Sequence, residues 1–104
     1  MIHVIAVITT QPGQRAQLLT HFQANRAAVL AEDGCIAYEA AIDAAGFPTS
    51  PGTYGPDTLV VVEQWASLAA LKAHSVAPHM VAFGAATQAL RQNVVLHVLE
   101  PATA

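Results

Sequence analysis

Charge is the scarcest commodity in this chain. Charged residues make up 11% of its 104 residues, against roughly 25% in an ordinary soluble protein. Four are cationic, Arg15, Arg26, Lys72 and Arg91, and they are scattered among seven acids for a net charge of −3. Phosphate-backbone binding draws its energy from clustered lysine and arginine. With no cluster, nucleic acid is not expected as a partner. Cysteine is nearly absent as well: Cys35 stands alone, closes no intrachain disulfide, and reads as a small buried hydrophobe. No apolar run approaches the roughly 20 residues needed to span a bilayer, so no membrane is expected. Ile2 to Ile8 is short, carries His3 and lacks a basic start and a small-residue cleavage site. That argues against a signal peptide, and the expected location is cytoplasmic. Also missing are GxGxxG, GxxxxGK[ST] and CxxC, the short motifs of nucleotide and redox sites.

What fills the chain instead is apolar: 54% of it. The length predicts one domain over residues 1–104. A monomer that size needs more polar cover, so part of the apolar excess is assigned to a subunit interface.

The pattern reads as follows. Ile2 to Thr9 has apolar side chains at both parities, the mark of a strand covered on both faces. Pro12-Gly13 breaks it, and a helix with a stripe of Leu18, Leu19, Phe22, Val29 and Leu30 runs from Pro12 to about Ala31, with Gly34 as its C-terminal cap. Cys35 to Asp43 is a second strand with Ile36, Tyr38, Ala40 and Ile42 on one face. Residues 44–57 hold three glycines and three prolines, a long connection of the sort that often serves as a flap. Thr58 to Trp65 is a strand rich in β-branched residues, followed by a short helix capped by Ser67. Pro78 opens another helix through about Leu90, and Asn93 to Glu100 is a fourth strand. The order β-α-β-β-α-β is that of the α+β, ferredoxin-like fold with one four-stranded antiparallel sheet. Helices cover one face only. The other face is apolar too, and a second copy of the chain is the simplest cover.

One stretch concentrates the chemistry. Glu63-Gln64-Trp65-Ala66-Ser67, then Leu71, His74 and Pro78-His79, gathers the only tryptophan, two of five histidines and an acid ending an apolar strand. With Pro12-Gly13, Asp33-Gly34-Cys35-Ile36-Ala37-Tyr38, Asp57 and Met80, it resembles the antibiotic biosynthesis monooxygenase family of dimeric α+β barrels, and in particular the small quinol monooxygenase branch. The resemblance covers essentially the whole chain. It implies two chains pairing sheet to sheet, each with a pocket between sheet and helices. It further implies oxygenation or oxidation of a hydroxylated aromatic by molecular oxygen, with no cofactor and no metal. Haem-degrading relatives carry an asparagine on the first strand, and this chain has none there. Polyketide-tailoring relatives carry one four residues before the tryptophan, where this chain has Val61. Both departures point to the quinol branch.

A phenol with a pKa near 10 costs about 4 kcal/mol to ionise at pH 7, and a positioned base recovers part of that. Histidine suits the task. His74, at the end of the short helix, is the first candidate for base or orienting partner. His79 and Trp65 join it as catalytic candidates, the indole being able to stack on a planar ring and hold an oxygen. Glu63, Tyr38, His97 and His3 are candidates for substrate binding, with Tyr54 weaker and His21 taken as exposed. Each also has a structural reading: Trp65 as core, Glu63 as support for its neighbours, His3 and His97 as core or interface residues, His74 and His79 as helix-end residues. His74 and His79 are five apart with a proline between, unlike the i, i+4 pair of a zincin helix, so no metal site is expected. The Phe47–Tyr54 loop is a candidate cover for the pocket. Two other functions stay open: a non-catalytic small-ligand-binding dimer, and an isomerase of the same barrel superfamily.

Overall fold

Parity along the first strand decides where everything else goes. The computed structural model describes residues 1–49 and 51–103. In β1 (Ile2–Thr10) every even residue is buried and every odd one half-buried. The even set faces the helices and the odd set faces away. β1 is central, paired antiparallel with β3 (Thr58–Trp65) on one side and β4 (Arg91–Leu99) on the other, in the order β2-β3-β1-β4 with β2 at Cys35–Ala41. Register then builds rows across the inner face. Val4 stands opposite Glu63 and Val98, Ala6 opposite Val61 and Leu96, Ile8 opposite Leu59 and Val94. Leu18, Phe22 and Val29 of α1 (Arg15–Leu30) close over β1, β2 and β3 to complete the core. Two shorter helices, α2 (Leu68–Ser75) and α3 (Pro78–Thr87), and a 3₁₀ turn at Gln88–Leu90 lead into β4. The order is therefore β-α-β-β-α-α-β, the ferredoxin-like arrangement. Among the described residues no helix is long and apolar enough to cross a membrane.

The expected boundaries move in four places. α1 begins at Arg15, because Pro12-Gly13 forms a turn instead of a first helical turn. Gly13 has φ +77°, and its N–H donates to the Asp57 carboxylate at 2.9 Å. β2 ends at Ala41 and carries an irregularity between Cys35 and Ala37. Cys35 faces Trp65, Tyr38 faces Glu63, and Ile36 falls in between and is half exposed. A bulge shifts parity by one, so Ile36 does not share the inner face with Tyr38 and Ala40. Ile42 lies past the strand and is exposed too. α3 stops at Thr87 and tightens into the 3₁₀ turn, so β4 starts at Arg91. The loop after β2 is tied down by Asp43, whose carboxylate accepts the N–H groups of Tyr54 and Gly55; these bonds hold its carboxyl below the usual range.

The fourth correction concerns Gly34. α1 is capped by Ala31 in helical geometry, and Gly34 closes the turn that follows, with φ +83°. Its carbonyl accepts the Ala66 N–H at 2.8 Å. A Cβ here would sit 2.6 Å from the Ala70 Cβ. Gly34 thus allows α2 to seat against the α1–β2 turn. Gly34→Ala is expected to destabilise the fold by about 2–4 kcal/mol, from left-handed strain plus overpacking. In urea unfolding, Gly34→Ala/Ala70→Gly should recover only the packing part. An unchanged midpoint for the single variant would refute this account.

Candidate functional site

Between the inner face of the sheet and helices α2 and α3 lies a cavity of about 420 Å³. Its walls are mostly apolar. Val4, Ala6 and Ile8 of β1, Val61 of β3, Val94, Leu96 and Val98 of β4, and Leu71, Met80 and Phe83 of the helices all border it. A few polar side chains break that surface: Tyr38, Glu63, Lys72, His74, Ser75 and Arg91. An apolar hollow with few convergent polar groups is the usual form of a small-molecule site.

His74 is the best-placed of them. The Ser67 hydroxyl accepts the Ala70 N–H at 3.1 Å and starts α2, which brings His74 to the last turn, where it is buried. His74 Nδ1 lies 2.8 Å from Glu32 Oε2. The same oxygen lies 3.0 Å from His79 Nε2, presented by the first turn of α3 after Pro78. An ionised carboxylate only accepts hydrogen bonds, so both ring nitrogens facing it carry their protons as donors. A neutral His74 is then the Nδ1–H tautomer, and its Nε2 lone pair is free of any partner among the described residues. The ring is held in place by Trp65, with centroids 4.5 Å apart, and by the edge of Tyr38 at 5.6 Å. Tyr38 in turn stacks on Phe22 at 5.0 Å.

The second carboxyl group, Glu63, sits in the wall itself. Trp65 Nε1–H donates to its Oε1 at 2.9 Å. Burial pushes the Glu63 carboxyl above its ordinary value, with Glu32 adding to the rise and the Trp65 bond and His74 opposing it. Burial raises the Tyr38 phenol strongly, with Glu63 and Glu32 next in weight, so it stays protonated as a possible donor. Burial also pushes the Cys35 thiol up, which disfavours the thiolate a nucleophile needs.

Of the residues singled out in the sequence, His74, Glu63 and Tyr38 border the cavity. Trp65 is completely buried behind His74 and does not reach it. His79 joins the group through Glu32 but borders a shallow outer depression beside His21. His3 and His97 do not join it. His3 is an odd residue of β1, and His97 stands opposite Ile5, so both belong to the face turned away from the helices. Of the expected cover loop, Phe47, Pro51, Gly52 and Thr53 border a separate depression, and none of its described residues lines the cavity; Ser50 lies outside the described residues. Two residues were missed. Glu32 is one; nothing local marks it, since it is a single acid in the turn after α1. Arg91 is the other: it borders the cavity with its guanidinium bonded to Gly84 O at 2.7 Å and Thr87 Oγ1 at 3.2 Å. The five-residue spacing of His74 and His79 does not by itself make a metal site, but Glu32 adds a third donor, and the three ligand atoms lie within 4.8 Å of one another.

A raised carboxyl pKa makes the folded state the better proton binder, so stability falls as pH rises from the ordinary 4.5 through the raised value. Glu63→Gln keeps an acceptor for Trp65 and removes that titration. Its stability relative to the parent should therefore improve between pH 4 and pH 8 in thermal melts. A parent protein that instead gains on the variant as pH rises would contradict the burial argument.

Comparison with known proteins agrees with this architecture. Residues 1–86 match the family described as antibiotic biosynthesis monooxygenase. Probable quinol monooxygenase YgiN of Escherichia coli strain K12 is 38% identical over 103 residues, covering 97% of this chain and 98% of that protein. The crystal structure of PA3566 from Pseudomonas aeruginosa superposes with a TM-score of 0.80 at 29% identity, covering 98% of this chain and 94% of that one. Rv0793 from Mycobacterium tuberculosis gives 0.79 at 29% identity, covering 99% and 96%. The chain belongs to the antibiotic biosynthesis monooxygenase family.

Proposed function

We propose that this protein oxidises or monooxygenates a small hydroxylated aromatic of the quinol kind with molecular oxygen, and that no bound cofactor takes part. The observation that carries the reading is the Glu32–His74 pair at the wall of an apolar cavity. The name of the Escherichia coli relative supports the substrate class. A flat aromatic fits between the valine and leucine rows of β1, β3 and β4 and the ring of Phe83. Its hydroxyl gives up a proton to His74 Nε2, while Glu32 holds the imidazole in the accepting tautomer and stabilises the cation that forms. Loss of that proton makes the ring electron-rich enough to reduce oxygen. In the monooxygenase outcome a quinol and O₂ give a hydroxyquinone and water. In the oxidase outcome the same pair gives the quinone and hydrogen peroxide. The apolar walls leave few polar groups to hold water beside the ionised ring until oxygen reacts.

The assembly belongs to the same proposal. Ile5, Val7, Val60, Val62, Val95 and Leu99 share the sheet face that no helix covers, and Val62, Val95 and Leu99 are exposed. A second copy packed sheet to sheet covers that face and makes a homodimer. Sedimentation equilibrium is expected to give twice the 10.8 kDa chain mass, and Val62→Lys to shift the protein toward monomer. A monomeric parent at micromolar concentration would remove the assembly.

Oxygen uptake with a chemically reduced naphthoquinone tests the chemistry. The parent should consume oxygen well above the autoxidation rate, and His74→Ala should lower that excess by about 10²-fold or more. Melting temperature monitors folding of the variant. A His74→Ala rate equal to the parent's would reject His74 as the base. Turnover that persists without oxygen would replace this reading by an isomerase.

A further inference from the structure

Glu32, His74 and His79 have one property that proton transfer does not require: they form a compact set of metal donors. We propose that this trio binds a divalent transition cation of the zinc class, and that the bound cation disables His74 as a proton acceptor. The second half rests on the function proposed above; the first does not. The donor set is two imidazole nitrogens and one carboxylate oxygen, and all three atoms lie within 4.8 Å of one another. That mixture suits zinc, cobalt, nickel or copper and not calcium or magnesium, which take oxygen ligands.

Two of the three donor distances are already close to those of a metal site, and the third is reached by turning the part-exposed His79 ring. Metal bonds of about 2.0–2.1 Å place neighbouring donors of a tetrahedron about 3.3 Å apart. His74 Nδ1 and His79 Nε2 stand 2.8 and 3.0 Å from Glu32 Oε2. Coordination opens the two carboxylate contacts by a few tenths of an ångström and draws together the two histidine nitrogens, which lie within 4.8 Å of each other, by up to about 1.5 Å. Three protein ligands leave a fourth position for water. Access is from outside: the His79 side chain is 29% exposed, and the ring borders the outer depression instead of the cavity. The cation can therefore arrive while the cavity is occupied.

Coordination has a definite consequence for the tautomer. A cation on His74 Nδ1 uses the lone pair there, so the proton of the neutral ring moves to Nε2. His79 exchanges its proton in the same way, from Nε2 to Nδ1. No proton is lost from either ring. His74 Nε2 then carries N–H and has no lone pair for a phenolic proton. The metal and the substrate proton compete for one imidazole from its two ends.

Cobalt(II) chloride, added to chelator-treated protein, is the direct probe. Saturable visible absorption at one cobalt per chain is expected, abolished by excess zinc chloride. His79→Ala and His79→Gln should each weaken cobalt binding about tenfold or more, while His3→Ala and His97→Ala leave it unchanged. The His79 side chain is part-exposed, so these variants are expected to fold; melting temperatures check this. Equal cobalt affinity in the parent and both His79 variants, or loss of binding in the His3 or His97 variants, overturns the site. Zinc should suppress oxygen uptake, with recovery on adding chelator. Cobalt bound at the trio with undiminished oxygen uptake under zinc overturns the switch. Absence of oxygen uptake before any metal is added would overturn the functional reading instead, and the cobalt titration would still decide the site.

Discussion

One carboxylate oxygen holds together the parts of this molecule that the sheet does not. Glu32 Oε2 sits in the turn after α1 and accepts from His74 on α2 and His79 on α3. Three segments that share little other polar contact meet at that atom. The meeting is possible because Gly34, two residues on, leaves room for Ala70 and offers its carbonyl to Ala66. Glu32 is largely shielded from water, and a shielded carboxylate is stable only where hydrogen bonds replace its hydration. The two histidines supply those bonds, and in doing so their ring orientations are fixed. Packing of α2, placement of α3 and the tautomer of His74 are thus one constraint.

That constraint leaves the second ring nitrogen of His74 unspent in the site. The Trp65 indole is committed to Glu63, the guanidinium of Arg91 to Gly84 and Thr87, and Nδ1 of His74 to Glu32. Tyr38 stays protonated because burial and two neighbouring carboxyl groups oppose its ionisation. Burial also disfavours charge on Glu63. Nε2 of His74, without a hydrogen-bond partner among the described residues, is a nitrogen able to take a proton beside the apolar walls. Two acids flank this histidine, yet they act differently: Glu32 is hydrogen-bonded to the ring, and Glu63 is bonded to the tryptophan whose ring lies tilted against it.

The strands were legible because their pattern is local. Thr58–Trp65 and Leu68–Ser75 fall where β-branched residues and the Ser67 cap place them. The motif run from Glu63 to His79 pointed to the right family. The sidedness of histidines in β1 and β4 was not legible: those strands are apolar at both parities, so His3 and His97 could be assigned to either face. Register with Leu99 and Ile5 decides it. The bulge at Ile36 was hidden for a related reason, since an unbroken alternation from Ile36 to Ile42 fits the sequence equally well. Glu32 could not be found by spacing at all. Its partners lie 42 and 47 residues further along the chain, and only the way α2 and α3 fold back over the first turn brings them to it.

The low charge of the chain follows from the double duty of β1. Its even residues Val4, Ala6 and Ile8 form the floor of the cavity, and its odd residues Ile5 and Val7 belong to the open face of the sheet. A central strand that is apolar on both of its faces leaves no position for a charge. The same holds for β3, where Val60 and Val62 alternate with Leu59 and Val61. Glu63 breaks the rule at a position where Trp65 can bond it, at the end of the strand. Apart from Glu39 in the edge strand β2, the few charges that remain are found in turns, on helices and near strand ends, and the group that organises the site comes from a turn.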